Sequence, residues 1–474
     1  MREKIKEEKI ILFFVLFFTA LYISLIFNKN VWTDEAFTIE LIRENNFWGI
    51  IEGTANDVHP PLYYLIVKVF VLLFGDQFFV YKMVSVIPMV LTMLLAFFDI
   101  KPWWGTNAAV IFMIMLNAIP CVMEYGVQIR MYSWALFFIT WAGLSAYGMC
   151  IQNQKRYAVQ LTAASICACY THTYAMIGCV CIYLLACIYG LYCLIKYRDR
   201  EEQKHTLFFR CILSGLITSA FYIPWLIVLY RQMIGRIDNY WIEPVTGEVI
   251  LQYFDFLFSS NIPFSEMMYI ILCAIAVVIC IRQRNRGDKQ GLNALLFLAV
   301  PVMTAGIGIV VSILITPFFI ARYLLPCMGL LAVFFAVAFQ KKKNYVHILL
   351  GLFGVFMAIN SYHTNFQAEY KSTQVEELLA FMEEHLGDND LIAYNYEIYG
   401  FIYDIYFEDD QTVFLSDVDF AQDFDNIWYF DSCVTPWLDS QVLIEYGLEK
   451  EFVMNTGIEQ NTFHLYRIYH AANH

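Results

Sequence analysis

Residues 57–76 read DVHPPLYYLIVKVFVLLFGD, from Asp57 to Asp76, and the reading of the apolar part, Leu62 to Phe74, decides how the whole chain threads a membrane. That part holds only about 13 residues, includes Lys68, and falls short of the roughly 20 apolar residues that cross a bilayer as a helix. Counting it as a span would invert every later loop. Lys155-Arg156, the run Arg282 to Lys289 and Lys341-Lys342-Lys343 would then lie outside the cytoplasm, against the positive-inside rule. The stretch therefore reads as an interfacial helix started by Pro60-Pro61, proline being well tolerated in a first turn. Residues 28–81 become one extracytoplasmic loop.

Composition supports a membrane setting. Hydrophobic residues make up 59% of the 474 and charged ones 15%, with a mean hydropathy of +0.55, which excludes an ordinary soluble globular protein. Ile10 to Phe27 is apolar to its end and lacks a small-residue cleavage site, so it reads as a retained first span rather than a signal peptide. Further apolar segments fall at about 78–100, 104–121, 131–151, 157–172, 174–195, 206–229, 265–281, 291–314, 320–340 and 345–361. Basic clusters at Arg2 to Lys9, Lys155-Arg156, Lys196 to Lys204, Arg282 to Lys289 and Lys341 to Lys343 then all face the cytoplasm. The expectation is a polytopic all-α cell-membrane protein of about 11 spans, N-terminus cytoplasmic and C-terminus extracytoplasmic. Cys167, Cys169, Cys179, Cys181, Cys187 and Cys193 lie inside apolar segments and read as small buried hydrophobes.

Charge divides the chain in two. From His363 onward there are 22 acidic and 3 basic side chains, against 21 acidic and 27 basic before it. Residues 1–362 form a membrane module with basic loops. Residues 363–474 form an acidic extracytoplasmic domain with no reason to bind nucleic acid. Ser372 to Leu386 has helical spacing, and Leu391 to Tyr396, Thr412 to Leu415, Ile427 to Phe430 and Phe463 to Ile468 are strand-like, with a helix over Trp437 to Tyr446 between the last two. A small α/β layer is expected, with acceptor recognition or a partner contact as its role. Its acidic clusters, Glu408-Asp409-Asp410 and Asp417 to Asp425, read as a solvated face, with calcium binding as the alternative.

The topology sorts polar residues onto one face. The outer side receives Asp34, Glu35, Asp57, His59 and Tyr63 from the first loop, then Glu124, Tyr125, Gln128, Arg130 and Tyr132 between the third and fourth spans. His172 follows between the fifth and sixth; Arg231, Arg236, Asp238, Tyr240, Trp241 and Glu243 after the seventh; and Arg322-Tyr323 at the tenth. Each has a bland competitor. Asp34 could instead be a helix N-cap, Arg130 a snorkelling interfacial residue, and His172 a histidine bonded to a backbone carbonyl.

In this order and on this face, WTDEAFT (from Trp32), the stretch quoted above, EYGVQIRMYSWAL (from Glu124), YTHTYA (from Tyr170) and ARYLLP (from Ala321) resemble the GT-C membrane glycosyltransferases. Within them the motifs are similar to bacterial relatives of the protein O-mannosyltransferases and of the aminoarabinose transferases that modify lipid A. The resemblance covers about the first 340 residues. It implies a transferase that takes a sugar from a polyprenyl-phosphate carrier and passes it, usually with inversion, to an envelope glycan, lipid or protein. It also implies Asp34 as the catalytic acidic residue.

The chemistry fits. A fixed carboxylate can take the acceptor proton, which suits Asp34, while Glu35 shapes the loop or caps the helix behind it. The anionic leaving group needs cationic or hydrogen-bonding partners. Arg130 offers a planar fork to phosphate oxygens, and His59 and Arg322 are the other candidates. Tyr63, Tyr125, Gln128, Tyr132, His172 and Tyr323 are the candidate substrate contacts. Many relatives carry a Glu where this chain has Gln128, a poorer second base and a poorer cation ligand. A divalent cation therefore stays open. The competing function is a transporter or flippase of lipid-linked glycans, which would show internal repeats and charges at the bilayer midplane.

Overall fold

The structure is a computed structural model that describes all residues except 1, 197–201, 235–241, 371–373, 408–410, 459–460 and 472–474. The chain folds into two compact units, Met1–Ile26 with Phe47–Thr364, and Phe27–Asn46 with Asn365–His474.

In chain order the helices begin with α1 (Arg2–Ser24), α2 (Thr33–Glu44), α3 (Phe47–Asn56) and α4 (Leu62–Phe74). Then come α5 (Phe78–Leu95), a π-helical turn at Ala96–Ile100, α6 (Lys101–Ala118), α7 (Pro120–Tyr125), α8 (Tyr132–Gln152), α9 (Lys155–Thr171) and α10 (Thr173–Lys196). They continue as α11 (Glu202–Ile234), α12 (Gly247–Phe258), α13 (Ser265–Asn285), α14 (Lys289–Leu314), a 3-10 helix at Ala321–Cys327, α15 (Met328–Phe339) and α16 (Asn344–Tyr370).

Among the described residues, eight helical stretches are long and apolar enough to cross a membrane. This is fewer than the expected eleven, for three physical reasons. Phe78–Ala118 is one stretch of 41 residues that contains two expected spans; it is broken internally at Gly105, where φ is 82°. The expected fifth span, α9, has only 17 residues, and α1 carries Glu7, Glu8 and Lys9 within its length. The segment from Leu62 to Phe74 is a separate 13-residue helix, too short to span. It is closed by Gly75, whose φ of 93° lies in the region open to glycine. Cys167, Cys169, Cys179, Cys181, Cys187 and Cys193 are all free thiols inside helices, none of them exposed.

Packing in this unit follows side-chain character. The residues of α15 are apolar all round the helix, and all twelve are buried. It packs among α6, α8, α13 and α14. The outward helices α11 and α13 leave Leu213, Leu216, Phe221, Met267 and Ile271 exposed, the apolar surface that a bilayer covers.

The second unit holds α2 together with α17 (Val375–His385), β1 (Leu391–Tyr394), α18 (Gly400–Tyr406), β2 (Thr412–Phe414), β3 (Ile427–Asp431), α19 (Ser440–Glu445), β4 (Leu448–Ile458) and β5 (Asn461–His470). The strands form one sheet in the order β2-β1-β3-β5-β4. β1 pairs in parallel with β2 and β3, whereas β5 runs antiparallel to β3 and β4. Ala393, Ile427, Tyr429 and Ile468 form its core with Leu415, Phe424 and Leu448. Asp417, Asp419, Asp423 and Asp425 are exposed, as a solvated face requires, while Glu408, Asp409 and Asp410 lie outside the described residues.

Candidate active site

Five helix boundaries of the first unit meet at one end of its bundle. Because neighbouring helices alternate in direction, the start of α8, the end of α9, the start of α10 and the ends of α11 and α14 share that end. The basic runs at Lys155-Arg156, Arg282 to Lys289 and Lys341 to Lys343 fall at the other end.

His172 sits in the break between α9 and α10, outside both helices, with extended backbone (φ −157°, ψ 136°). It is 1% exposed. The backbone N–H of Tyr174 donates to its Nδ1 at 3.0 Å, so Nδ1 carries no proton and the hydrogen-bond network assigns the proton to Nε2. Nε2 has no partner among the described residues. Burial first, then the charges of Arg130 and Arg322, push the His172 pKa down to about 3. The imidazole is therefore a neutral donor, not a cation and not a histidine bonded to a carbonyl.

Aromatic rings enclose it. His59 lies 5.6 Å from His172 between ring centroids, Tyr132 at 5.3 Å, and Tyr323 at 5.1 Å. Tyr132 meets Tyr125 edge-on at 5.1 Å, Arg322 hydrogen-bonds the Tyr125 hydroxyl, and Tyr174 packs on Tyr323 at 4.9 Å. Arg130 precedes α8 and is 3% exposed, so its guanidinium does not reach into solvent as a snorkelling residue would. A cavity open to solvent lies beside this cluster. It is lined by His59, His172, Tyr174, Gln232, Thr316 and Tyr323, among others.

The structure thus gathers His59, Tyr125, Arg130, Tyr132, His172, Arg322 and Tyr323, residues drawn from four separate stretches of sequence. Gln128 is half-buried and donates through Nε2 to Glu124 at 3.4 Å. Among the described residues no group of three or more His, Cys, Asp or Glu side chains is placed to hold a metal ion. Tyr63 is fully buried on α4, edge-on to Tyr64 at 5.5 Å. Arg231 and Glu243 are exposed, whereas Arg236, Asp238, Tyr240 and Trp241 lie outside the described residues.

Asp34 and Glu35 belong to the second unit, in the first turn of α2. Glu35 is 3% exposed, and its carboxylate accepts the backbone N–H of Trp32 at 3.1 Å. It therefore satisfies a donor that the helix start leaves open, the capping role expected of it. Asp34 is half-buried, and Thr38 Oγ1 donates to its backbone carbonyl at 3.0 Å. The segment is held by α18. Phe37 meets Phe401 at 6.1 Å, Arg43 Nη1 donates to Ile405 O at 3.3 Å, and the Tyr406 hydroxyl donates to Lys29 O at 2.7 Å.

Sequence reading passed over Gln232, Thr316 and Phe318 of the cavity wall. They sit at or beyond helix ends inside no motif, and only their position at the same end of the bundle as His172 would have found them.

No sequence-family profile matches the chain, and no curated protein matches it. Solved structures do. ArnT from Cupriavidus metallidurans in the apo state matches with a TM-score of 0.62 and 11% identity, over 97% of this chain and 98% of that one. ArnT from the same organism bound to undecaprenyl phosphate matches with a TM-score of 0.58 and 12% identity, over 96% and 97%. Identity this low speaks for architecture and not for activity. The chain has the GT-C fold of ArnT, membrane module and C-terminal domain together.

Proposed function

We propose that the chain is an integral-membrane glycosyltransferase that moves a sugar from a polyprenyl-phosphate carrier to a cell-envelope glycan, lipid or protein, with inversion at the anomeric carbon. One observation carries the reading: two buried or half-buried arginines and two histidines converge at one end of a bundle whose fold, in ArnT, binds undecaprenyl phosphate. The basic loops lie at the opposite end. By the positive-inside rule this supports an extracytoplasmic active end, with the N-terminus in the cytoplasm and the C-terminal domain outside.

In this reading an acceptor hydroxyl oxygen attacks the anomeric carbon, a new C–O bond forms, and the bond to the carrier phosphate breaks. The acceptor proton passes to Asp34 as general base. Negative charge growing on the departing phosphate is met by the fixed charges of Arg130 and Arg322, with His59 and His172 beside them. Such groups act strongly because they are already in place and shielded from water. Tyr125, Tyr132 and Tyr323 hold the cluster by ring packing.

The test is Asp34→Asn, purified in detergent and given a polyprenyl-phosphate sugar with acceptor. Release of polyprenyl phosphate should fall by about 100-fold or more, the lower range for losing a general base. Release at the parental rate removes Asp34 from that role. A parental protein that carries glycan lipids across vesicles without ever cleaving them is a transporter instead.

A further inference from the structure

Gln232 lies in the last turn of α11 and lines the same cavity as His172. Its Nε2 donates to Thr54 O at 3.0 Å and to Ala55 O at 3.1 Å, both carbonyls of the final turn of α3. The two bonds fix the orientation of the amide, because exchanging its oxygen and nitrogen would set oxygen against two carbonyl oxygens. Oε1 is then the unused end. It is buried and has no partner among the described residues. Across the same cavity His172 Nε2 is a buried donor with no partner there. A lone acceptor and a lone donor, both uncharged, thus belong to side chains that line one cavity. Its walls are the rings of Tyr174, Phe318 and Tyr323, with Tyr174 5.1 Å from Phe318 and 4.9 Å from Tyr323.

We infer that this cavity is the subsite for an uncharged pyranose ring, with Gln232 Oε1 accepting from one ring hydroxyl and His172 Nε2 donating to an oxygen of the same ring. This deepens the glycosyltransferase reading and rests on it. Aromatic walls with a few placed polar groups suit a ring that has apolar C–H faces and a polar rim. Among the described residues lining the cavity there is no Asp or Glu. A sugar bearing a protonated amine would lose water there and gain no opposite charge from these walls. Gln232 is therefore a specificity residue: it accepts a hydroxyl and gives an ammonium no salt bridge.

The experiment compares polyprenyl-phosphate donors that carry a neutral hexose, its singly deoxygenated forms, and the corresponding amino sugar. In the parental protein one deoxygenated donor should lose about 10-fold or more in kcat/KM, because it leaves a buried acceptor unpaired. The amino sugar should be a poor donor. In Gln232→Met, which keeps side-chain length, that discrimination should vanish. Poor folding lowers all donors alike and leaves the ratio untouched. Full discrimination in Gln232→Met overturns the subsite alone. A parental protein that cleaves none of the donors removes the glycosyltransferase reading, and the subsite with it.

Discussion

His172 has one proton to place, and the backbone N–H of Tyr174 decides where it goes. A neutral Nε2–H gives a donor whose strength does not vary across physiological pH, unlike an ordinary histidine. The stability consequence has a definite sign. In the unfolded chain the imidazole titrates near 6.5, whereas burial and the two nearby guanidinium groups hold it down to about 3 in the folded protein. Between those values the unfolded chain binds the proton and the folded chain does not. The stability contributed by His172 is therefore complete above about 6.5 and is lost as pH falls toward 3. Thermal unfolding in detergent should show the advantage of the parental protein over His172→Gln shrinking steadily from pH 7 to pH 4. A constant difference would mean that the imidazole titrates normally. His172 is legible in the sequence as a candidate because it interrupts an apolar stretch beside Thr and Tyr. Its tautomer is not, since that depends on one backbone angle.

Among the elements, α15 shows how closely the membrane helices approach. A Cβ on Gly329 would collide with Thr140 Oγ1 of α8 and sit 3.0 Å from Thr140 Cβ, in a helix with no exposed face to yield. Gly329→Ala should cost about 1–3 kcal/mol, the usual range for overpacking a filled core. Adding Thr140→Ala should return part of that, and paired unfolding midpoints would show it; no recovery would place the strain elsewhere. Helices of this kind are easy to read, because a bilayer-length apolar run has few alternatives, and the residue bounds of the short α4 follow from Pro61 and Gly75 alone. The sheet was read less fully. β1, β2 and β3 carry continuous apolar runs, but β4 begins Leu448-Glu449-Lys450-Glu451, charges that suit the edge of a sheet and hide the strand from a search for apolar runs. The expected helix over Trp437 to Tyr446 is real only from Ser440 to Glu445. α18 was passed over because GFIYDIY is apolar enough to suit a strand equally well.

At the scale of the whole molecule, the fold does not divide where the charge does. The sharp change in charge near residue 363 suggested a catalytic membrane module followed by an accessory domain, yet residues 27–46, which carry Asp34, fold together with residues 365–474. Sequence could not show this, because the pairing of α2 with α18 joins residues more than 360 positions apart through ordinary ring and backbone contacts. It changes what the C-terminal domain is expected to do. A domain that only recognised the acceptor would leave donor cleavage intact when disturbed. A domain that also positions the segment bearing Asp34, the proposed general base, would not. In the full-length protein, Phe401→Ala with Tyr406→Phe removes the ring packed on Phe37 and the hydroxyl bonded to Lys29 O while sparing the sheet core. Because a small displacement of a catalytic group costs on the order of 100-fold, kcat should drop by at least about 10-fold. Binding of polyprenyl phosphate, proposed for Arg130, Arg322 and the histidines of the other unit, should remain within about twofold, since none of those side chains is altered. Equal losses in turnover and carrier binding would point to general destabilisation. Unchanged turnover with a raised acceptor KM would return the domain to acceptor recognition alone.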